Sequence, residues 1–539
     1  MKKKHYTSYI PWLSTTLLLL VAVNALAVEP APAVSGTKNT PPKLIIGITV
    51  DQLRTDYLYA LEEKLAENGL KLLLEKGLVY EQVMFDADNL DATAAMAVLS
   101  TGAYAFNNGV SGKEVYNSQL LRKESIFFDK DYLGNFTSDN YSPRALISTT
   151  LADELKIASL NASRVFSIAP DAESAIIGAG HTANCAFWID DKKGTWASTT
   201  YYKGFPKYIE AKNRNKPLGV IMSDAEWEPM HKSGRLDIMP YHYETRGFIH
   251  TFYQYGQPDY QWFKSSPLVN DAIVDLSEWL ITKGSLGKES SSDMLQLTLY
   301  CGTWLHDRPE LYAEELQDMY LRLDQSLANL FTLVDKHVGL QNTLIYLMGT
   351  GQTQGKFTEV EETKVGTFTG SRCTSLLNSY LVSLYGKGQY VVDLYDNQIY
   401  LNHREIEQKN LKLSDVQQAA AEFVMMFSGV EDVTTQYQLL HNDVNERVKR
   451  MRHTYNRQLG GDLLLTLSPG WTFKSDDTSQ EEPQARYDVA PGPVMILAPH
   501  LKAERIVTPV EATAIAPTIA ACIHIRAPSA AKTAPLRLK

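Results

Sequence analysis

Residues 43–50, Lys-Leu-Ile-Ile-Gly-Ile-Thr-Val, form a nearly unbroken apolar run that ends at Asp51. A strand with one wet face would alternate apolar and polar side chains. A run without alternation requires cover on both faces, the position of a central strand in a parallel sheet. The pattern then repeats along the chain. A helix is predicted from Tyr57 to Lys76, stopped by Gly77, followed by a strand over Val79 to Phe85 and a short helix from Ala94 to Leu99, closed by Thr101-Gly102. Ala145 to Ile157 is helical in pattern, and Arg164 to Ala169 reads as a strand. Leu323, Leu327, Leu330 and Val334 recur at helical spacing between Tyr320 and His337, just before a buried strand over Thr343 to Met348. Ser414 and Gln417 read as a capping box opening a helix to Phe427. A strand over Val494 to Ala498 and a helix over Ile515 to Cys522 complete the series. The predicted fold class is α/β, a three-layer sandwich with a largely parallel central sheet. Two stretches break the alternation and read as inserted segments: residues 199–264, rich in Tyr, Trp and Pro, and residues 390–437.

Composition narrows the function classes. The chain has 539 residues, 44% of them hydrophobic, which excludes a mainly disordered polymer. Its formal net charge of −10 gives it no electrostatic reason to hold nucleic acid. Lys2 to Lys4, the apolar stretch Leu17 to Ala22 and the small-x-small site Ala25-Leu26-Ala27 read as an export signal over residues 1–27. Residues 28–42 follow as a Pro/Ala/Thr-rich leader, and residues 43–535 as the folded domain. No later segment approaches a membrane span, so the expected location is the periplasm or cell envelope, with an envelope ligand or protein as partner. Cys185, Cys301, Cys373 and Cys522 match no metal or redox spacing, which leaves pairing and buried thiols both open.

Ligands of open α/β sheets bind beyond the carboxyl ends of the strands. The residues there are Asp51, then Asp91-Ala92-Thr93 at the start of a helix, then Gly349-Thr350-Gly351. Around the first of these, Ile48-Thr49-Val50-Asp51-Gln52-Leu53-Arg54-Thr55-Asp56-Tyr57 resembles the opening of the exported phosphate-irrepressible alkaline phosphatases, cousins of the type I phosphodiesterase/nucleotide pyrophosphatases. Ser142-Pro143-Arg144 with Asp153-Glu154-Leu155, Gly180-His181-Thr182-Ala183-Asn184, Tyr320-Leu321-Arg322-Leu323-Asp324 and Ile515-Ala516-Pro517-Thr518 follow in the same order. The resemblance implies an alkaline-phosphatase-like fold. It also implies two zinc ions about 4 Å apart and a Thr or Ser nucleophile.

Carried over position by position, the family's first metal-binding Asp falls on Asp51. Its Asp-x3-His pair falls on Gly302 and His306, and its Asp-His pair on Gly349 and Thr350. Its late His falls near Glu481, and its nucleophile on Ala92, beside Thr93. Its phosphate-holding Asn falls on Lys113, and its Lys-x-Arg clamp on Asp171 and Glu173. No Asp-His dipeptide occurs in the chain, and no His has an Asp four residues before it. The resemblance therefore implies a fold retained with most of its metal donors replaced. The first expectation is a protein with a degenerate two-metal site and a binding or assembly role, with no cofactor. The second is an active phosphomonoesterase or phosphodiesterase with zinc on Asp51 and His306, Thr93 as a shifted nucleophile and Lys113 holding substrate. A third is a hydrolase using Asp171 and Glu173 as an acid/base pair. Against these stand plainer roles: Asp51 as a loop cap, Thr93 as a helix N-cap, His181 as loop architecture, and the aromatic residues of 199–264 as cap packing.

Overall fold

The computed structural model describes residues 41–538 apart from 88–89, 232–235, 240–246, 255, 307–310, 352–365, 442–444 and 475–489. The export signal, nearly all of the leader, Asp307 and Glu481 lie outside the described residues. The described residues from Pro41 onward form one compact unit.

The apolar run Leu44–Asp51 is the middle of an eleven-stranded sheet. It pairs in parallel with Asp293–Tyr300 on one side and Thr343–Gly349 on the other. Val165–Ile168 and Cys185–Ile189 extend the parallel set beyond Asp293–Tyr300. Gly492–Leu497 is antiparallel to both of its neighbours, Thr343–Gly349 and Leu78–Met84. Trp196–Thr199 is antiparallel near the other edge. The absence of alternation has the predicted cause. Leu44, Ile46, Ile48 and Val50 pack with Leu323, Leu327, Leu330 and Val334 of the helix Ala313–His337 on one face. Ile45 packs with Val98, Leu99, Ile515 and Ile519 on the other. Helices thus cover both faces, and the sandwich has three layers. Gly47 lets Gln296 reach Tyr346 across the strand, since a Cβ there would lie 2.0 Å from the Gln296 oxygen.

Three local expectations are corrected. The helix predicted from Tyr57 to Lys76 is broken into Thr55–Ala60, a short 3₁₀ turn at Glu62–Lys64 and Leu70–Lys76. The buried carboxylate of Asp324 causes the break, because it accepts the backbone N–H of Ala66 at 2.7 Å and of Leu70 at 2.6 Å. The capping box at Ser414 does not form. That helix runs Leu413–Val424, and buried Gln417 turns to Asp462 at 2.8 Å. The helix predicted from Ala145 starts at Leu151, where Thr150 and Asp153 make a true capping box. All four cysteines are buried free thiols.

Elements between residues 366 and 474 build a smaller layer. Val391–Tyr395, Gln398–Leu401, Leu463–Leu467 and Val430–Thr435 form a four-stranded sheet, with the helices Gly370–Tyr385 and Leu413–Val424 sharing its separate core. Among the described residues no helix is long and apolar enough to cross a membrane.

Candidate functional site

Three central strands end side by side, and each delivers one part of the site. Asp51 closes the first. Gln52 then turns the chain with a left-handed φ of 63°, a costly conformation for a residue with a side chain. Its N–H donates to Thr350 Oγ1 at 2.8 Å, and that hydroxyl donates to Asp51 Oδ1 at 3.2 Å. Thr350, which follows Thr343–Gly349, is fully buried. A hydroxyl therefore satisfies the carboxylate from the position where the resemblance places a metal donor. Burial raises the Asp51 pKa to about 7; the Thr350 hydrogen bond opposes this, and the nearby carboxylates of Asp91 and Asp171 add to it.

The third strand, Asp293–Tyr300, leads into the turn that carries Gly302 and His306. The resemblance places a carboxylate at Gly302, and other side chains occupy the space there. A Cβ on Gly302 would lie 2.5 Å from the Gln52 side-chain oxygen and 2.7 Å from the Tyr300 hydroxyl. Gln52 and Tyr300 thus fill the space over Gly302. The Tyr300 hydroxyl lies 2.5 Å from the Thr303 carbonyl and 3.1 Å from His306 Nδ1. Burial lowers the His306 pKa; Asp171 opposes this and Lys113 adds to it. Leu305 and His306 also hold left-handed φ values of 57° and 54°.

Thr93 lies one step inside the helix Ala92–Thr101. The N-cap is Asp91, whose Oδ1 accepts the N–H of Thr93 at 2.7 Å and of Ala94 at 3.4 Å. This corrects the reading of Thr93 as a cap, and it sets a carboxylate where the positive end of the helix would attract an anion. Burial raises the Asp91 pKa against those hydrogen bonds.

Lys113 is half exposed, with Nζ 3.9 Å from Asp171. Asp171 caps no backbone N–H. It faces Lys264, 3.1 Å away, and Lys264 also reaches Asp191 at 2.6 Å. Burial would raise the Asp171 pKa, but Lys264 and Lys113 hold it well below the usual carboxylate range. Glu173 is turned elsewhere: Ser125 donates to it at 2.7 Å, and burial raises its pKa. One carboxyl is thus held ionised by two lysines and the other sits beneath a serine, so they do not form the expected acid/base pair on one proton.

Asp171 lies beside Lys113, and its charge acts on both Asp51 and His306. Gln52 and Lys264 were missed. Lys264 belongs to the short helix Tyr260–Lys264, where Trp262 packs edge-on against Trp304 at 5.7 Å. Nothing in the local sequence links that helix to Asp171. Gln52 stood inside the quoted opening motif and could have been found by asking what fills the space over a glycine in a ligand position. Among the described residues no group of three His, Cys, Asp or Glu side chains is placed to hold a metal.

A mainly parallel α/β sandwich with its polar residues at the carboxyl ends of the central strands is the architecture of phosphodiesterase-type hydrolases. The chain belongs to the type I phosphodiesterase/nucleotide pyrophosphatase family, whose model matches residues 45–492. It is 26% identical over 529 residues to the alkaline phosphatase PafA of Elizabethkingia meningoseptica, covering 92% of this chain and 94% of that one. It is 26% identical over 506 residues to the alkaline phosphatase PhoV of Synechococcus elongatus, covering 90% and 91%. A protein of Myroides odoratus named calcium-transporting ATPase is 27% identical over 520 residues, covering 90% and 93%. The crystal structure of PafA superposes with a TM-score of 0.77 at 24% identity, covering 92% of this chain and 98% of that one. The alkaline-phosphatase-like fold is therefore established.

Proposed function

We propose that this is an exported alkaline-phosphatase-fold protein whose two-metal site is degenerate and whose cleft serves binding or assembly in the cell envelope. The observation that carries this reading is the replacement of metal donors by hydrogen-bonding side chains. Thr350 serves Asp51, and Gln52 with Tyr300 fills the space over Gly302. A pair of zinc ions needs about three protein donors each, drawn from His, Asp, Glu or Cys. Among the described residues, the donors left at the carried-over positions are Asp51 and His306, and each is engaged within the protein. The set does not fit the metal pair. The N-terminal signal pattern supports export.

Metal analysis of the purified full chain, with p-nitrophenyl phosphate and bis-p-nitrophenyl phosphate assays, tests the reading. Zinc well below one per chain and turnover no different from a Thr93→Ala variant are expected. The relatives named alkaline phosphatases support a second reading, a metal-dependent phosphomonoesterase or phosphodiesterase with rearranged ligands, using Asp51 and His306 for metal, Thr93 for attack and Lys113 for substrate. That reading requires stoichiometric zinc and turnover abolished by Thr93→Ala.

A further inference from the structure

We propose that the inserted segment 199–264 helps to build a second site, a recess that takes one neutral sugar ring, a hexopyranose unit. The recess has a volume of about 410 Å³, within the ~300–1,000 Å³ of small-molecule sites. Three parts of the chain line it. They are the hairpin of Tyr253–Gln254 and Gln257–Pro258, the start of the helix Tyr260–Lys264, and Asp191, just after the strand Cys185–Ile189. Gln254, Gln257 and Gln261 are exposed, and among the described residues their side-chain amides bond to no protein group. Each amide offers two N–H donors and a carbonyl acceptor. Asp259 spends Oδ1 on the N–H groups of Gln261 and Trp262, both at 3.0 Å. Asp191 spends Oδ1 on Lys264 at 2.6 Å. Each carboxylate keeps Oδ2 as a further acceptor, while those partners already answer its charge. The Tyr260 hydroxyl donates to the Lys193 carbonyl at 3.2 Å, so this buried ring presents carbon to the recess, as does Pro258.

This set selects against ions of either sign. No Lys, Arg or His lines the recess, so a phosphate would find amide donors but no positive charge, beside two carboxylates. An ammonium would have to displace Lys264 or the capping N–H groups to gain a full countercharge. Neutral hydroxyls fit what is left. A hydroxyl donates one hydrogen bond and accepts others, so neighbouring hydroxyls on a ring engage both ends of an amide or donate to a carboxylate oxygen. The C–H face of the same ring has the carbons of Tyr260 and Pro258 to lie on, and few well-placed polar groups over an apolar floor are the make-up of a small-molecule site. Lys264 joins Asp191 of the recess to Asp171, at 2.6 and 3.1 Å, which sets the bound sugar at the rim of the strand-end site.

The test is saturation-transfer NMR with calorimetric titration of the full chain, using D-glucose, D-galactose, D-mannose and N-acetyl-D-glucosamine. Glycerol, triglycine and inorganic phosphate are the competitors. At least one sugar should saturate with a Kd of about 1 mM or tighter, and none of the three competitors should displace it. The double variant Gln257→Ala with Gln261→Ala changes exposed side chains alone and should weaken that sugar by about tenfold or more. Thr93→Ala should leave its affinity unchanged, because the recess shares no residue with the strand ends. Failure of all four sugars to saturate would overturn the proposal. Displacement by triglycine or phosphate would do the same, as would unchanged affinity in the double variant or loss of binding in Thr93→Ala. Stoichiometric zinc with phosphatase turnover would change the reading of the strand ends and leave this one standing. A zinc-free, inactive protein that binds none of the sugars would remove this inference alone.

Discussion

At the scale of single residues, the most heavily bonded carboxylate among the described residues lies away from Asp51. Asp153 is 1% exposed, and Oδ1 accepts from the His181 N–H, the Thr182 N–H and the Thr182 hydroxyl at 2.8, 2.9 and 2.8 Å. Its Oδ2 takes the Thr150 N–H at 3.0 Å and His181 Nδ1 at 2.9 Å, while His181 Nε2 faces the Leu146 carbonyl at 3.0 Å. Both imidazole nitrogens face acceptors, so the ring is held as imidazolium. Burial would lower the His181 pKa, but Asp153 and the Leu146 carbonyl raise it above 6.5. Burial would raise the Asp153 pKa, but His181 and the amide donors lower it below 3.8. The His181 contribution to stability is therefore complete below pH 6.5 and fades as pH rises through the folded value. The Asp153 contribution is complete above pH 3.8 and fades as pH falls through its own folded value. Urea unfolding of wild type and His181→Gln should differ most between those limits, and the difference should shrink towards alkaline pH. Asp153→Asn removes the charge from the hub and should cost about 3 kcal/mol in the same measurement. The sequence marked His181 as loop architecture, and that is its role. The partner that makes it so lies 28 residues away, where no local pattern shows it.

At the scale of elements, the fold was legible wherever periodicity alone decides structure. The apolar run ending at Asp51 and the four-three-four spacing from Leu323 to Val334 became the central strand and the long helix because burial on two faces, or on one stripe, leaves that signature. Reading failed where a distant side chain claimed the backbone. Asp324 broke the helix predicted from Tyr57, and Asp462 drew Gln417 away from Ser414. The cleft divides in the same way. Asp51 was visible because it follows a strand. Gln52 over Gly302 and Lys264 on Asp171 were not, because those contacts span 250 and 93 residues. Reinstating the carboxylate by Gly302→Asp should therefore add no zinc, and should destabilise by about 1–3 kcal/mol through overpacking against Gln52 and Tyr300. Thermal melting and metal content of Gly302→Asp, alone and with Gln52→Ala, check this: the second change should recover part of the lost stability. The helix Tyr260–Lys264 is tied to the site by Lys264. Lys264→Ala leaves Asp171 with Lys113 as its remaining cation and should loosen the helix Tyr260–Lys264 by about 1–2 kcal/mol. Faster proteolysis near residue 260, with the rest of the chain intact, is the expected sign.

At the scale of the whole molecule, a site without its metal pair, as proposed above, leaves the ends of the central strands to be held by other contacts. In a sheet closed by metal, carboxylates and imidazoles from several strands repel one another or stay poorly solvated until the ions bind, so folding and metal occupancy are linked. Here two of the ends are joined by hydrogen bonds, Gln52 N–H to Thr350 and Thr350 to Asp51, and Tyr300 closes its own turn on Thr303. The remaining charges are balanced locally, with Asp171 between two lysines. Asp51 itself is raised to about 7 by burial, against the hydrogen bond from Thr350. Two apolar cores, one on each face of the sheet, are built without reference to the site. The melting temperature should then be independent of metal. A native-state site holding zinc at one hundred times its Kd would add about 2.7 kcal/mol of stability, enough to move the transition measurably. Differential scanning calorimetry in excess EDTA and in excess zinc should give superimposable curves. A rise with zinc that disappears in Asp51→Asn would show that the hydrogen bonds had only been holding the place of an ion, and that the strand ends keep a metal after all.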